Sequence, residues 1–156
     1  MALEIERRFL ITGAVDLTGC RSLEIEQRYL QADVAEHVER IRRVRDGAQI
    51  RLIHTTKRPV TNMSSEEIER DLTPTEFDEF ASRAGPTLRK IRTLVPCGDL
   101  TIEVDRFLNP ELAGLVIAEV ELPSEDKPFE PPHWLGREIT GDRSFANAAL
   151  ARRLES

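Results

Sequence analysis

The sequence predicts an α+β fold in which a sheet closes into a barrel around a charged interior, with helices against its apolar outside. Three observations predict it. Charged and apolar residues alternate along seven separate stretches of the chain, and a period of two is the mark of a strand with unlike faces. The charges stand largely in pairs of like sign, which repel unless a counter-ion lies between them. A sheet of this many twisted strands also tends to curl, and closing it removes edges that would otherwise need protection.

The first strand, Glu4 to Leu10, turns Glu4, Glu6 and Arg8 one way and Ile5 and Phe9 the other. Thr12 to Ser22 reads as a loop and Leu23 to Leu30 as a second strand. Val38 to Arg45 and Gln49 to Lys57 flank Asp46-Gly47-Ala48, and Asp-Gly between two such runs signals a hairpin. By composition Arg58 to Ser64 is a mobile loop, with a strand from Ser65 to Leu72 after it. Thr73, Pro74 and Glu76 form a capping box that opens a helix, Phe77, Phe80 and Ala81 give it an apolar stripe, and Gly85-Pro86 ends it. Strands over Leu88 to Val95 and Leu100 to Phe107 pair around Pro96-Cys97-Gly98-Asp99. A short helical connection over Asn109 to Leu115 leads to a strand over Leu115 to Leu122, and Ser144 to Leu154 reads as a closing helix. The Pro-rich run from Pro123 to Pro132 leaves too little chain for a second domain, so residues 1–156 are read as one.

The alternation carries the chemistry. Glu4/Glu6/Arg8, Arg40/Arg42, Arg51/Lys57, Glu67/Glu69, Lys90/Arg92, Glu103/Asp105 and Glu119/Glu121 each share a strand face, with largely apolar residues between them. The plain alternative is a flat sheet with this face in water. Solvated faces, however, mix in Ser, Thr, Gln and Lys, whereas Arg and Glu dominate here. Glu4/Glu6 and Glu119/Glu121 call for a cation, while Arg40/Arg42 and Lys90/Arg92 call for an anion. Oxygen ligands suit Mg²⁺ or Mn²⁺, and clustered Arg and Lys suit phosphate. A lumen offering both points to a metal-bound polyphosphate. Glu67 and Glu69, with Glu103, read as partners that orient the lining arginines.

Composition narrows the classes further. The chain has 156 residues, 32% of them charged, and a net charge of −6, which argues against a nucleic-acid polymer as partner. No apolar run approaches about 20 residues, so neither a membrane span nor a signal peptide is expected. Cys20 and Cys97 lack metal-ligand spacing and read as free thiols of a cytoplasmic protein. His37, His54 and His133 are scattered, and there is no Gly-rich phosphate loop.

In order, Glu4-Ile5-Glu6-Arg7-Arg8, Gln27-Arg28-Tyr29-Leu30, Arg40-Ile41-Arg42, Thr55-Thr56-Lys57, Glu67-Ile68-Glu69, Lys90-Ile91-Arg92, Glu103-Val104-Asp105, Glu119-Val120-Glu121 and Asn147-Ala148-Ala149-Leu150 resemble the motifs of the CYTH superfamily of triphosphate tunnel metalloenzymes. The resemblance spans nearly the whole chain. It implies an eight-stranded antiparallel tunnel and metal-dependent hydrolysis of a triphosphate, most simply inorganic tripolyphosphate. By resemblance Glu4, Glu6, Glu119 and Glu121, with Asp105, would hold Mg²⁺ or Mn²⁺. Arg8, Arg40, Arg42, Lys57, Lys90 and Arg92 would grip phosphates, and Tyr29 and Lys90 match positions implicated in catalysis. Three positions depart from the family pattern: Arg8 stands where lysine is usual, Ser65 where an arginine often precedes Glu67, and Ser144 before Phe145 where a basic residue is common. The superfamily also implies adenylate cyclase or thiamine or nucleoside triphosphatase activity as alternatives. The departures admit a non-catalytic polyphosphate- or nucleotide-binding module. A monomer or a homodimer is expected.

Overall fold

The computed structural model describes residues 2–30 and 37–155. Eight antiparallel strands form a closed barrel: β1 (Ala2–Leu10), β2 (Arg21–Leu30), β3 (Val38–Asp46), β4 (Gln49–Pro59), β5 (Ser64–Asp71), β6 (Leu88–Cys97), β7 (Leu100–Phe107) and β8 (Val116–Glu121). Their order around the barrel is β1-β5-β4-β3-β2-β6-β7-β8, with β8 returning to β1. The Asp46–Gly47 hairpin forms as its sequence predicts, and Gly47 takes a φ of 59° there, a conformation that costs glycine nothing.

The closure is staggered. β1 gives its first residues to β5, pairing Glu4 with Ser65, and the rest to β8, pairing Glu6 with Glu121 and Arg8 with Glu119. The Leu122 amide bonds the Ile5 carbonyl and the Glu6 amide bonds the Met63 carbonyl, so the backbone stays satisfied where β1 changes partner. This stagger decides which acidic residues meet.

The outside is covered by less helix than expected. Helix α1 (Pro74–Ala81), opened by the Thr73/Glu76 capping box, lays Phe77 and Phe80 against Leu30, Ile41 and Leu72. The larger outer core, Ile5, Phe9, Ile102, Val104, Ala118 and Val120, lies instead under loops that bring Val15, Leu17, Phe129 and Trp134. Gly136 holds the second of these loops close: its amide bonds the Leu10 carbonyl, and a Cβ there would stand 2.7 Å from that oxygen.

The closing helix is broken. Arg143–Phe145 is a 3-10 turn, Ala146 is extended, and α2 runs only from Asn147 to Arg152. Here the Phe145 carbonyl accepts from the Arg8 guanidinium at 2.8 Å, and the Ala146 amide turns back to the Arg143 carbonyl. α2 stops one end of the barrel, where Leu150 is fully buried with Leu88, Phe107 and Ile117. The segment read as mobile, 58–64, is pinned: Val60 and Thr61 bond the Ser64 carbonyl, and the Thr61 and Ser64 hydroxyls both bond Glu125. Cys20 and Cys97 are free thiols. No helix among the described residues is long and apolar enough to cross a membrane.

Candidate active site

Strand pairing fixes the inward face of every strand. The register sets Lys90 opposite Ile25 and Phe107, Arg92 opposite Asp105, Arg40 opposite Thr55, and Lys57 opposite Glu67. The inward faces of seven strands therefore share one lumen. Glu4, Glu6, Arg40, Arg42, Lys57, Glu67, Glu69, Lys90, Arg92, Glu103, Glu119 and Glu121 border a cavity of about 650 Å³, whereas Arg51 lies exposed and pairs with Asp71. β2 is the exception. Its inward row is Leu23, Ile25, Gln27 and Tyr29, while Glu24 and Glu26 face outward and pair with Arg45 and Arg43.

Cations dominate one side of the lumen. Arg40, Arg42, Lys57, Lys90 and Arg92 all border the main cavity. The Arg40 Nε and Arg42 Nε are buried without hydrogen-bond partners, and buried donors are rarely left unpaired. Burial, reinforced by the charge of Arg40, brings Arg42 down to about 10. Lys90 is 2% exposed. Burial brings it down to about 8, although Asp105 at 2.8 Å works the other way.

The acidic residues fall into two groups. Asp105 is 1% exposed and lies between Lys90 at 2.8 Å and Arg92, which bonds it twice at 2.8 and 2.9 Å. Glu119 accepts from Arg8 Nε at 3.3 Å and faces Arg92 at 3.5 Å. Burial opposes its ionisation, but Arg8, Arg92 and Lys90 outweigh burial and hold it below the usual carboxylate range. Glu103 meets Arg92 at 2.9 Å and Glu69 meets Arg42 at 2.9 Å. These carboxylates are neutralised from within the protein.

Glu4, Glu6, Glu67 and Glu121 are not. Lys57 stands 3.1 Å from Glu4 and 3.7 Å from Glu6, while Glu67 and Glu121 feel the more distant charges of Arg40 and Arg92. Glu67 and Glu121 each reach hydrogen-bonding contact with Glu4, because both are diagonal neighbours of Glu4 across the staggered strands. Burial raises Glu67 to about 8 and Glu121 to about 7, each reinforced by its contact with Glu4. Burial and the charge of Glu119 raise Glu6 to about 7. Burial would raise Glu4 too, but bonds from Glu67 and Lys57 leave it at about 2. Each carboxylate contact needs a proton or a metal ion between its oxygens. Among the described residues no three acidic, histidine or cysteine side chains form a ready-made cage. All-oxygen contacts made two at a time suit an ion that keeps waters and takes phosphate oxygens, as Mg²⁺ does.

The resemblance groups Asp105 and Glu119 with the metal-holding carboxylates, and Glu67 reads in the sequence as orienting the arginines; Glu119 instead stands against Arg8 and Arg92. The structure buries Asp105 between two cations and sets Glu67 against Glu4. Arg8 and Tyr29 do not border the main cavity; they line a second one of about 210 Å³ behind it. The Tyr29 hydroxyl accepts from the Gln27 amide at 2.8 Å. Of the three departures, Ser65 lies buried opposite Glu4, and Ser144 bonds Asp142 through its amide and its hydroxyl. His37 is exposed and His54 bonds Glu39 outside the lumen. Sequence reasoning passed over Asn147 as a lining residue, and its only signal was its place in the last of the ordered motifs.

No family model matches the chain. It is 34% identical over 154 residues to the inorganic triphosphatase of Acetivibrio thermocellus, covering 97% of this chain and 95% of that protein. It is 31% identical over 153 residues to the inorganic triphosphatase of Nitrosomonas europaea, covering 95% and 96%. Among solved structures, that of the inorganic triphosphatase NE1496 superposes with a TM-score of 0.64 at 30% identity, over 97% of this chain and 95% of that one. The PH1819 protein of Pyrococcus horikoshii shares the fold at 16% identity, with a TM-score of 0.60 over 79% and 80% of the two chains. With two full-length relatives above 30% identity and a closed barrel that keeps the ordered ionic motifs, the chain belongs to the inorganic triphosphatase family of the CYTH superfamily.

Proposed function

We propose that this protein hydrolyses a triphosphate, inorganic tripolyphosphate being the best fit, with Mg²⁺ or Mn²⁺ bound by carboxylates of the lumen. One observation carries the reading: unneutralised carboxylates and unpartnered guanidinium N–H groups border the same cavity. A tripolyphosphate with its metal supplies the anion for one set and the cation for the other. Full-length relatives named inorganic triphosphatase support the same substrate class.

Glu4, Glu67 and Glu121, with Glu6 beside them, would hold the metal. When bound it would neutralise phosphate charge and acidify a water. The protein's own groups do the rest. Arg40, Arg42, Lys57 and Arg92 hold phosphate oxygens, and their fixed positions favour the charge that develops during phosphoryl transfer. Asp105 and Glu119 fix Arg92 and Lys90 from behind. Lys90 at about 8 is protonated at neutral pH and near the range where a proton can be given from Nζ to a leaving phosphate. Arg8 holds its charge over the rear cavity. Tyr29, whose oxygen accepts from Gln27, keeps its own O–H for donation there.

Phosphate release from tripolyphosphate, ATP and thiamine triphosphate with Mg²⁺ or Mn²⁺ tests the proposal, with cyclic AMP measured alongside. Tripolyphosphate should turn over fastest, and only with metal present. No release from any of the three would sink it.

A further inference from the structure

Four residues border both cavities: Glu6, Arg40, Lys57 and Asn147. They form the waist through which the tunnel continues toward Arg8 and Tyr29. Asn147 differs from the other residues around the main cavity, because every one of those lies on a barrel strand and Asn147 starts α2. Its side-chain oxygen is buried and has no partner, although amide oxygens in such places normally find one.

Asn147 is also held firmly. On one side, Arg8 reaches the segment before it three times: Arg8 Nη1 to the Phe145 carbonyl at 2.8 Å, the Arg8 amide to Thr140 Oγ1 at 2.9 Å, and the Ile139 amide to the Arg8 carbonyl at 2.8 Å. On the other side, Leu150 is sealed into the apolar end of the barrel. A backbone fixed at both flanks limits where the Asn147 side chain can stand, and so the width of the passage.

Space behind the waist could take a further phosphate. Arg8 is 9% exposed, and its Nη2 is buried without a partner. Arg143 and the hydroxyl residues Ser64 and Thr140 line the same cavity, with Glu6 and Asp142 as its opposing charges. From the main cavity, that space is reached past Asn147 and its three companions, the residues the two cavities share.

We infer that Asn147 determines specificity by chain length: at the waist it limits how far a linear polyphosphate extends into the rear cavity, and so selects three phosphates over four. The inference rests on the triphosphate reading above and narrows it to one side chain. Tripolyphosphate and linear tetrapolyphosphate are compared as substrates for the wild-type protein, Asn147→Ala and Asn147→Gln, with Mg²⁺, and Kd for both chains is measured by calorimetry. In Asn147→Ala the tetrapolyphosphate-to-tripolyphosphate ratio of kcat/KM should rise about tenfold, the scale of one small group removed from a fitted pocket. In Asn147→Gln it should fall below wild type, since the added methylene fills the passage. Kd ratios should follow the same order. Asn147→Ser replaces the alanine variant if that variant does not melt cooperatively. Ratios equal to wild type in both variants overturn the inference and leave triphosphate hydrolysis standing. Shifted Kd ratios with no turnover of either chain overturn hydrolysis and uphold the waist.

Discussion

Two groups of carboxylates lie within one lumen and live in opposite circumstances. Asp105 and Glu119 face Lys90, Arg92 and Arg8 at distances between 2.8 and 3.5 Å. Glu67 and Glu121 contact Glu4, with Glu6 beside them, and Lys57 reaches Glu4 and Glu6. Both groups are acidic and inward-facing, and both come from an alternating strand pattern. The first is complete without a ligand, and the second is not. A charge already matched within the protein builds the frame, whereas a charge left over is available for binding.

The sharpest way to break this comparison is to neutralise one member of each group. Glu4→Gln removes the carboxylate at the centre of the incomplete group. Tripolyphosphate turnover with Mg²⁺ should fall by about 10² to 10³, the scale lost when one fixed electrostatic partner of a transition state is removed. The melting temperature should fall slightly, because the ionised carboxylate favoured by Lys57 and by the Glu67 and Glu121 contacts is lost. Phosphate release near the wild-type rate would reject the role given to Glu4.

Asp105→Asn should do the converse. It leaves Lys90 and part of Arg92 buried without their counter-ion, and breaking a buried pair costs about 3–5 kcal/mol. Urea unfolding would show this as a lower midpoint at constant slope. A variant as stable as wild type would place Asp105 with the ligand-facing group after all.

Part of this was legible in the sequence. Period two gave the inward faces of seven strands, and the Thr73/Glu76 and Asp46–Gly47 signals gave a helix start and a hairpin. A period tells which face a residue is on, however, not its height along the barrel. Height depends on how β1 divides between β5 and β8, and that is why period alone does not set Glu67 beside Glu4 or Asp105 between cations. β2 was hidden for a related reason. Glu24, Glu26 and Arg28 alternate as well as any lining row, yet pairing with β6 turns Ile25 toward Lys90 and sends the charges out. The break at Ala146 follows a bond from Arg8, 137 residues from Phe145 in sequence, and nothing in the local sequence announces it.

The two groups should also differ in their response to pH. Glu67, Glu121 and Glu6 have folded-state values raised from 4.5 to about 8, 7 and 7. A raised carboxyl adds stability below its unfolded value and loses it as pH climbs through the folded one. The metal-free protein should therefore lose melting temperature between about pH 5 and 8. Glu4 and Glu119 are lowered, so their stability is present above about pH 4.5 and fades only in acid. Lys90 is lowered to about 8, and the cost of burying its charge is relieved only as pH rises through 8 and above. Mg²⁺ should flatten the fall between pH 5 and 8 by replacing the lost protons. Melting curves in EDTA and in MgCl₂ would show it, and equal slopes in the two would remove the reason for placing metal among these carboxylates.

The smallest effect is expected where the two circumstances meet. Glu69 bonds Arg42 at 2.9 Å, but its side chain is 36% exposed at the edge of the lumen. An ion pair with one exposed member contributes little to stability, about 0–1 kcal/mol, so Glu69→Gln should melt close to wild type. Its effect on binding should have the opposite sign from Glu4→Gln. A phosphate must compete with Glu69 for the Arg42 guanidinium and also approach a negative charge. Arg42, at about 10 with Glu69 present, stays protonated at neutral pH without it. Removing the carboxylate should therefore lower KM for tripolyphosphate about two- to threefold, the scale of a single weak ion pair, with a smaller change in kcat. A higher KM would mean that Glu69 holds Arg42 in its productive orientation rather than competing for it, and would move Glu69 into the frame with Asp105.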